Sequence, residues 1–311
     1  VSAVSVPDNA GQQPAHAWLL ASRPATLPAA AVPVIVGGGV ALYERGHILP
    51  LVFAATLVAA LLIQIGTNFA NDYSDFHRGA DHDGRLGPVR VTQSGLISHE
   101  SVRRGIVVAF GLAALLGCYL AWIGGWPIIL IGALSIGCGL AYTGGPWPFG
   151  YHGLGDVFVF LFFGVVAVTG TAYLQTGTWS TVALLASLPV GFLVTNILVI
   201  NNLRDLPTDL TAGKITLAVR LGDRATRYQY ALFALLAYGV PGVMTFTGIS
   251  RQRWLLLPWI SAPLAFVLVR QVLRGLTGRD LNPMLKRSGL LLLSFGLLFT
   301  AGLIFARTSF A

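Results

Sequence analysis

Two short stretches carry most of the chain's acidity at spacings that suit a helix. The first reads Asn68-Phe-Ala-Asn71-Asp72-Tyr-Ser-Asp75-Phe-His-Arg78-Gly-Ala-Asp81. Positions 68, 71, 72 and 75 are i, i+3, i+4 and i+7, so on a helix two amides and two carboxylates share one face. The second reads Asn201-Asn202-Leu-Arg204-Asp205-Leu-Pro-Thr-Asp209-Leu-Thr-Ala-Gly-Lys214, where Asn202, Asp205 and Asp209 again share a face. Oxygen-only donors of this kind suit hard cations, and Mg²⁺ takes one or two carboxylates and completes its shell with water and phosphate. A solvated acidic loop bridged to its own arginines would explain one such cluster. Two clusters, each at helical spacing and each followed by Arg or Lys, argue for a metal site built from Asn68, Asn71, Asp72, Asp75, Asp205 and Asp209.

Charge then points to a ligand. Two Mg²⁺ ions would cancel Asp72, Asp75, Asp205 and Asp209, leaving Arg78, Arg90, Arg204 and Lys214 for an anion. A diphosphate matches that surplus, with guanidinium forks and a lysine point charge on its oxygens and Asn201 and Asn202 as further polar contacts. The chain has no Walker A or Gly-rich dinucleotide loop that would make this a nucleotide site.

The elements that must position these residues are membrane helices. Of 311 residues 55% are hydrophobic and only 10% charged, against about 25% charged in soluble domains. Nine apolar stretches near the length that spans a bilayer run over 22–43, 48–70, 103–123, 126–142, 154–175, 180–200, 227–248, 254–273 and 288–306. The expected fold is all-α: one polytopic membrane bundle over residues 16–311 behind a disordered tail at 1–15. Two links, Asp72 to Arg104 and Asn201 to Arg227, are long and polar, and function should concentrate there. Of the 20 basic residues, all but Arg45, Arg251, Arg253 and Arg307 fall on one side. Basic loops stay cytoplasmic, so the N-terminus and both acidic clusters should face the cytoplasm and the C-terminus should lie outside. The net +8 belongs to loops beside anionic membrane lipid rather than to nucleic-acid binding. A diphosphate whose other end lies in a membrane is an isoprenoid diphosphate.

At these residues the sequence resembles the UbiA superfamily of intramembrane aromatic prenyltransferases, and within it the MenA branch, which acts on 1,4-dihydroxy-2-naphthoate. The matching stretches are Arg23 to Pro28, Asn68 to Asp81, Arg90 to Ser98, Ala141 to Pro146 with Gly153 to Asp156, and Asn201 to Gly222. The last three helices match by hydropathy alone. The resemblance implies nine helices, two Mg²⁺ ions and a substrate diphosphate held by Asp72, Asp75, Asp205, Asp209 and Lys214. It makes Asp81, displaced by Gly79-Ala80, the third acid of the first motif. The implied reaction is electrophilic aromatic substitution in a plasma membrane: a polyprenyl diphosphate ionises, and the prenyl group replaces the carboxylate of 1,4-dihydroxy-2-naphthoate, giving demethylmenaquinone, CO₂ and diphosphate.

Three further residues are candidates for the acceptor. Asp156, at the start of the fifth stretch, can orient the acceptor or cap its helix. Tyr73 and Tyr142 can stack on a cation or ring, or simply pack. His77, His82 and His99 lack the Cys or tight His spacing of a zinc site, and Cys118 and Cys138 are packing residues. A cation transporter would place ionisable groups near the midplane of several helices, whereas these acids gather at one membrane face.

Overall fold

The computed structural model describes residues 13–78, 86–87, 90–246 and 252–308, and among them there is helix and no strand. Ten helices follow one another: α1 (Gln13–Ser22), α2 (Pro28–Arg45), α3 (Pro50–His77), α4 (His99–Gly124), α5 (Trp126–Ala141), α6 (Gly155–Thr176), α7 (Thr181–Thr211), α8 (Leu217–Phe246), α9 (Arg253–Leu273, opening with 3₁₀ turns) and α10 (Asn282–Thr308). Seven are long and apolar enough to cross a membrane, and α1 with α2 forms an eighth span bent by 53°. The sixteen-residue α5 is the short ninth, about 24 Å long at 1.5 Å per residue. The count of nine is therefore approximate, and the protein is a multi-pass membrane protein. Helix α1 begins at Gln13, which corrects the tail expected at 1–15. Its Ala17 and Ala21 are buried with Phe69 of α3 and Val102 of α4, and that burial outweighs the polar composition of the segment before them. Residues 1–12 lie outside the described residues.

Local chemistry sets the ends. Pro50 opens α3 in the first turn, where its missing N–H costs nothing. Ser98 caps α4 by accepting from Ser101 N, and Ser180 caps α7 by accepting from Ala183 N. Gly213 (φ 68°) takes the left-handed turn that reverses the chain after α7. The central helix is α7, buried along most of its length; its Val190, Leu193, Val194 and Ile200 meet Val36 of α2 and Phe295 and Phe299 of α10. Where α7 crosses α6, Gly191 faces Gly164, and a Cβ on Gly164 would lie 2.5 Å from Gly191 Cα. Small residues there substitute for a hydrophobic drive that lipid does not supply. The outer faces of α4 and α5 carry exposed Val107, Leu115, Trp122 and Ile129, as lipid contact requires.

The antiparallel order brings the ends of α3, α5 and α7 and the starts of α4, α6, α8 and α10 to one side of the bundle. Both acidic motifs lie there.

Candidate active site

Asp72 and Asp75 lie in the last two turns of α3, both 3% exposed. The loop before α4 folds back over them because Val91 and Ile97 are buried beside α1, α3 and α4. This brings Thr92 to Asp72 Oδ2, to which its backbone N (3.1 Å) and Oγ1 (2.9 Å) both donate. It also brings in Arg90, whose Nη2 donates to Asp75 Oδ2 at 2.7 Å while its Nη1 stands 3.4 Å from Asp72 Oδ1. Asp72 Oδ1 is buried and accepts no hydrogen bond. Asn71 Oδ1 accepts from Thr143 Oγ1, whereas Asn68 donates to Ser22 O and Thr26 Oγ1. Arg78 donates to the carbonyls of Thr143 and Gly145.

On the other side, Asp205 and Asp209 end α7, each 8% exposed. Lys214 Nζ lies 3.6 Å from Asp209 Oδ1. Asn202 is buried beside them. Arg204 differs from its expected place on the diphosphate. It is 1% exposed, and its nitrogens donate to both oxygens of Asp205 (2.8 and 2.6 Å), to Asn201 Oδ1 (2.7 Å) and to Asn282 Oδ1 (3.0 Å). A guanidinium so enclosed holds Asp205 in place from behind, and Asn201 supports it there.

The two motifs meet through residues that the sequence did not single out. Tyr151 donates its hydroxyl to Asp75 Oδ1 at 2.8 Å. Its ring meets both Lys214 Nζ, 5.4 Å from the centroid, and Arg78 Cζ, 5.7 Å away, cation–π distances. Tyr151 O accepts from Ile215 N, tying this loop to the turn that carries Lys214. A second tie runs through Asn282, which accepts from Arg204 and donates to Leu86 O just before Arg90. Arg23 is a third omission. It is the one non-glycine with positive φ (50°) among the described residues, and strain of that kind concentrates at functional sites. It lies within electrostatic reach of Tyr142, as do Asp75, Asp209 and Asp156. No spacing rule reaches Tyr151 or Asn282, but Arg23 stands in one of the stretches that carry the family likeness.

Tyr73, expected at the acceptor, is stacked on His77 with ring centroids 4.2 Å apart and packs with the cluster of Phe69, Val91 and Ile97. It shares a helix face with Phe69 and His77, about 100° round from Asp72. Asp81 lies outside the described residues, and so does His82. Among the described residues no three His, Cys, Asp or Glu side chains gather as one chelating group; the carboxylates form two pairs, one on α3 and one on α7.

Below the motifs an apolar space runs into the bundle. A cavity of about 120 Å³ starts at Thr67, Tyr142 and Phe149. It shares Ala60, Ile63, Ser135, Phe162 and Ala167 with one of about 580 Å³ bounded by α3, α4, α5 and α6. Gly117 and Gly132 line the larger one, and a Cβ on either would meet nothing within 4 Å.

Fold and site are together those of a multi-pass membrane enzyme, with a charged head at one bundle end over an apolar cavity. The chain belongs to the UbiA prenyltransferase family, whose model matches residues 30–295. It is 42% identical to a Mycobacterium tuberculosis protein named 1,4-dihydroxy-2-naphthoate octaprenyltransferase, over 94% of this chain and 98% of that one. An Escherichia coli protein of the same name is 37% identical over 94% and 96%. A solved structure of a UbiA homolog from Archaeoglobus fulgidus, bound to GPP and Mg²⁺, has the same fold, with TM-score 0.64, 15% identity, and 91% and 99% of the two chains covered.

Proposed function

We propose that this chain transfers a polyprenyl group from a polyprenyl diphosphate to 1,4-dihydroxy-2-naphthoate, releasing diphosphate and CO₂ and giving demethylmenaquinol, the reduced form of the demethylmenaquinone of menaquinone synthesis. The observation that carries this reading is two aspartate pairs with basic partners meeting through Tyr151 above an apolar cavity. It occurs in a chain whose relatives across bacteria bear one enzyme name.

The residues suit a divalent cation on chemical grounds. Asp72 and Asp75, and separately Asp205 and Asp209, offer one pair of hard oxygen donors each, matching an ion that takes one or two carboxylates and leaves room for phosphate. Asp72 Oδ1, buried without a hydrogen bond, is the kind of atom such an ion would satisfy. Asn71 and Asn68 stand beside the first pair. Two Mg²⁺ ions, when bound, would neutralise the diphosphate and ease its departure.

The chain's own groups supply the rest. Arg90 meets Asp72 and Asp75, and Lys214 meets Asp209; metal held at those carboxylates would let both cations serve the diphosphate oxygens, together with Arg78 and the amides of Asn201 and Asn202. The isoprenoid tail descends into the apolar cavity, which keeps water from the allylic carbon as its C–O bond opens. Tyr142 presents its ring at the cavity head, beside the forming cation, and Arg23 brings positive charge to the acceptor's carboxylate. The arginine distribution favours an orientation with this head on the cytoplasmic side and the C-terminus outside, in the plasma membrane that the family resemblance implies.

Purified protein given dihydroxynaphthoate, a polyprenyl diphosphate and Mg²⁺ is expected to form prenylated product, and EDTA to stop it. An acceptor panel including 4-hydroxybenzoate and homogentisate tests the substrate. No turnover with any aromatic acceptor would refute the reading.

A further inference from the structure

Asp156 is 6% exposed, and one of its oxygens is unmatched. Gln229 of α8 donates Nε2–H to Oδ1 at 2.9 Å, while Oδ2 is enclosed with no hydrogen bond. Asp156 stands in the first turn of α6, behind the N-cap Leu154, and its carboxylate also meets its own backbone N–H, so the helix start accounts for one side of it and leaves Oδ2 unexplained. Among the described residues no Lys, Arg or His forms an ion pair with it. Burying a carboxylate with an unsatisfied oxygen costs several kcal/mol, and Gln229, a neutral amide, with the N–H groups of the helix start offsets only part of that. The site lies beside the reaction space. Val159, one turn along the same helix face, lines the cavity under Tyr142. Tyr142 in turn feels the charges of Asp156, Asp75, Asp209 and Arg23, the ionisable groups that converge there from α6, α3, α7 and the start of the chain.

We propose that Asp156 is the general base for the acceptor, its Oδ2 taking the proton from a ring hydroxyl, and that Gln229 is the residue that positions it. The inference rests on the acceptor being a hydroxyaromatic, as in the reading above. As the O–H bond breaks, its electron pair moves into the ring, and a ring carbon forms the new C–C bond to the prenyl C1. The C1–O bond breaks with its pair leaving on diphosphate. The product of that step is a β-keto carboxylate. Loss of CO₂ returns the C–C pair to the ring as an enolate, which takes the proton back from Asp156. The carboxylate is regenerated and no other co-reactant is needed.

The test compares wild type with Asp156→Asn and Gln229→Leu, measuring initial rates from pH 6 to 9.5 alongside diphosphate release without acceptor. Asp156→Asn should lower kcat near neutral pH by about 100-fold and leave the KM for the prenyl diphosphate and the acceptor-free diphosphate release within about twofold. Its rate should also climb about tenfold per pH unit as the acceptor ionises unaided, while wild type stays flat. Gln229→Leu, which removes only a neutral partner, should lose about tenfold in kcat and show a rate that rises with pH part of the way toward that of Asp156→Asn, because a misplaced base leaves more of the ionisation to the acceptor. Asp156→Asn activity within about fivefold of wild type, with a parallel pH profile, would overturn the base and leave the prenyltransferase reading intact. Equal loss of acceptor-free diphosphate release would also overturn it, by showing a structural role. Wild type that prenylates no hydroxyaromatic at any pH would overturn both.

Discussion

Arg204→Met is the perturbation that most directly separates holding a site together from binding its ligand. Arg204 is enclosed and forks onto both oxygens of Asp205 at 2.8 and 2.6 Å. Methionine fills much of the same volume but leaves a carboxylate that is 8% exposed without its counter-charge, and Asn201 and Asn282 without a donor. Removing one partner of a buried pair costs about 3–5 kcal/mol. With about 2–4 °C per kcal/mol for a chain of this order of size, the melting temperature in detergent should fall by roughly 6–20 °C. The variant Arg204→Met/Asp205→Asn removes the stranded charge as well and should melt above Arg204→Met alone, a coupling that a double-mutant cycle measures. Saturating Mg²⁺ should raise the melting temperature of Arg204→Met more than that of wild type, because Asp205 then lacks any other cation. Arg204→Met melting within about 2 °C of wild type would refute the clamp and return Arg204 to the diphosphate.

Asp72→Ala, Asp75→Ala, Asp205→Ala and Asp209→Ala should each lower turnover at least about 100-fold, a loss of about 2.7 kcal/mol in transition-state stabilisation; near wild-type rates for two of them under saturating Mg²⁺ would show the metal assignment to be wrong. Gly132→Leu enters open space in the larger cavity, so initial rates should fall for donors of four and nine units and hold for two, whereas equal loss at every length would place the tail elsewhere. With wild type, those three lengths should differ little, because a cavity of about 580 Å³ cannot enclose a long polyprenyl chain and its end must lie in lipid; a sharp optimum would mean a closed pocket. In a Cys118→Ser/Cys138→Ser background, Ser94→Cys should react with an impermeant maleimide only from the cytoplasmic side and Gly125→Cys only from outside, and the reverse pattern would invert the topology.

How far the sequence reaches is clearest at its charged residues. The apolar stretches announced the helices because a span must satisfy every backbone group internally. The i, i+3, i+4 and i+7 spacing put Asp72 and Asp75 on one face because a helix repeats every 3.6 residues. Those are local facts, and they hold in the fold: α3 runs on past the apolar stretch to His77, and α7 to Thr211. The same periodicity already separated Tyr73 from the aspartates, a distinction that only its packing against Phe69 and His77 made visible.

Partner choice is not local. Arg78, Arg90 and Arg204 read alike in the sequence, each a cation beside an acidic motif. The fold sends Arg78 to loop carbonyls, Arg90 onto two carboxylates, and Arg204 into the core behind Asp205. Tyr151, Asn282 and Gln229 entered the site from segments 76, 78 and 73 residues away from Asp75, Arg204 and Asp156. No periodicity within a helix encodes such pairings. They depend on which helix ends the packing of α7 against α2, α6, α8 and α10 brings together, and on the burial that makes a hydrogen bond between them worth keeping. The sequence by itself determined which groups could do chemistry and at which end of the bundle; tertiary packing decided which of them pair with one another and which are enclosed behind the rest.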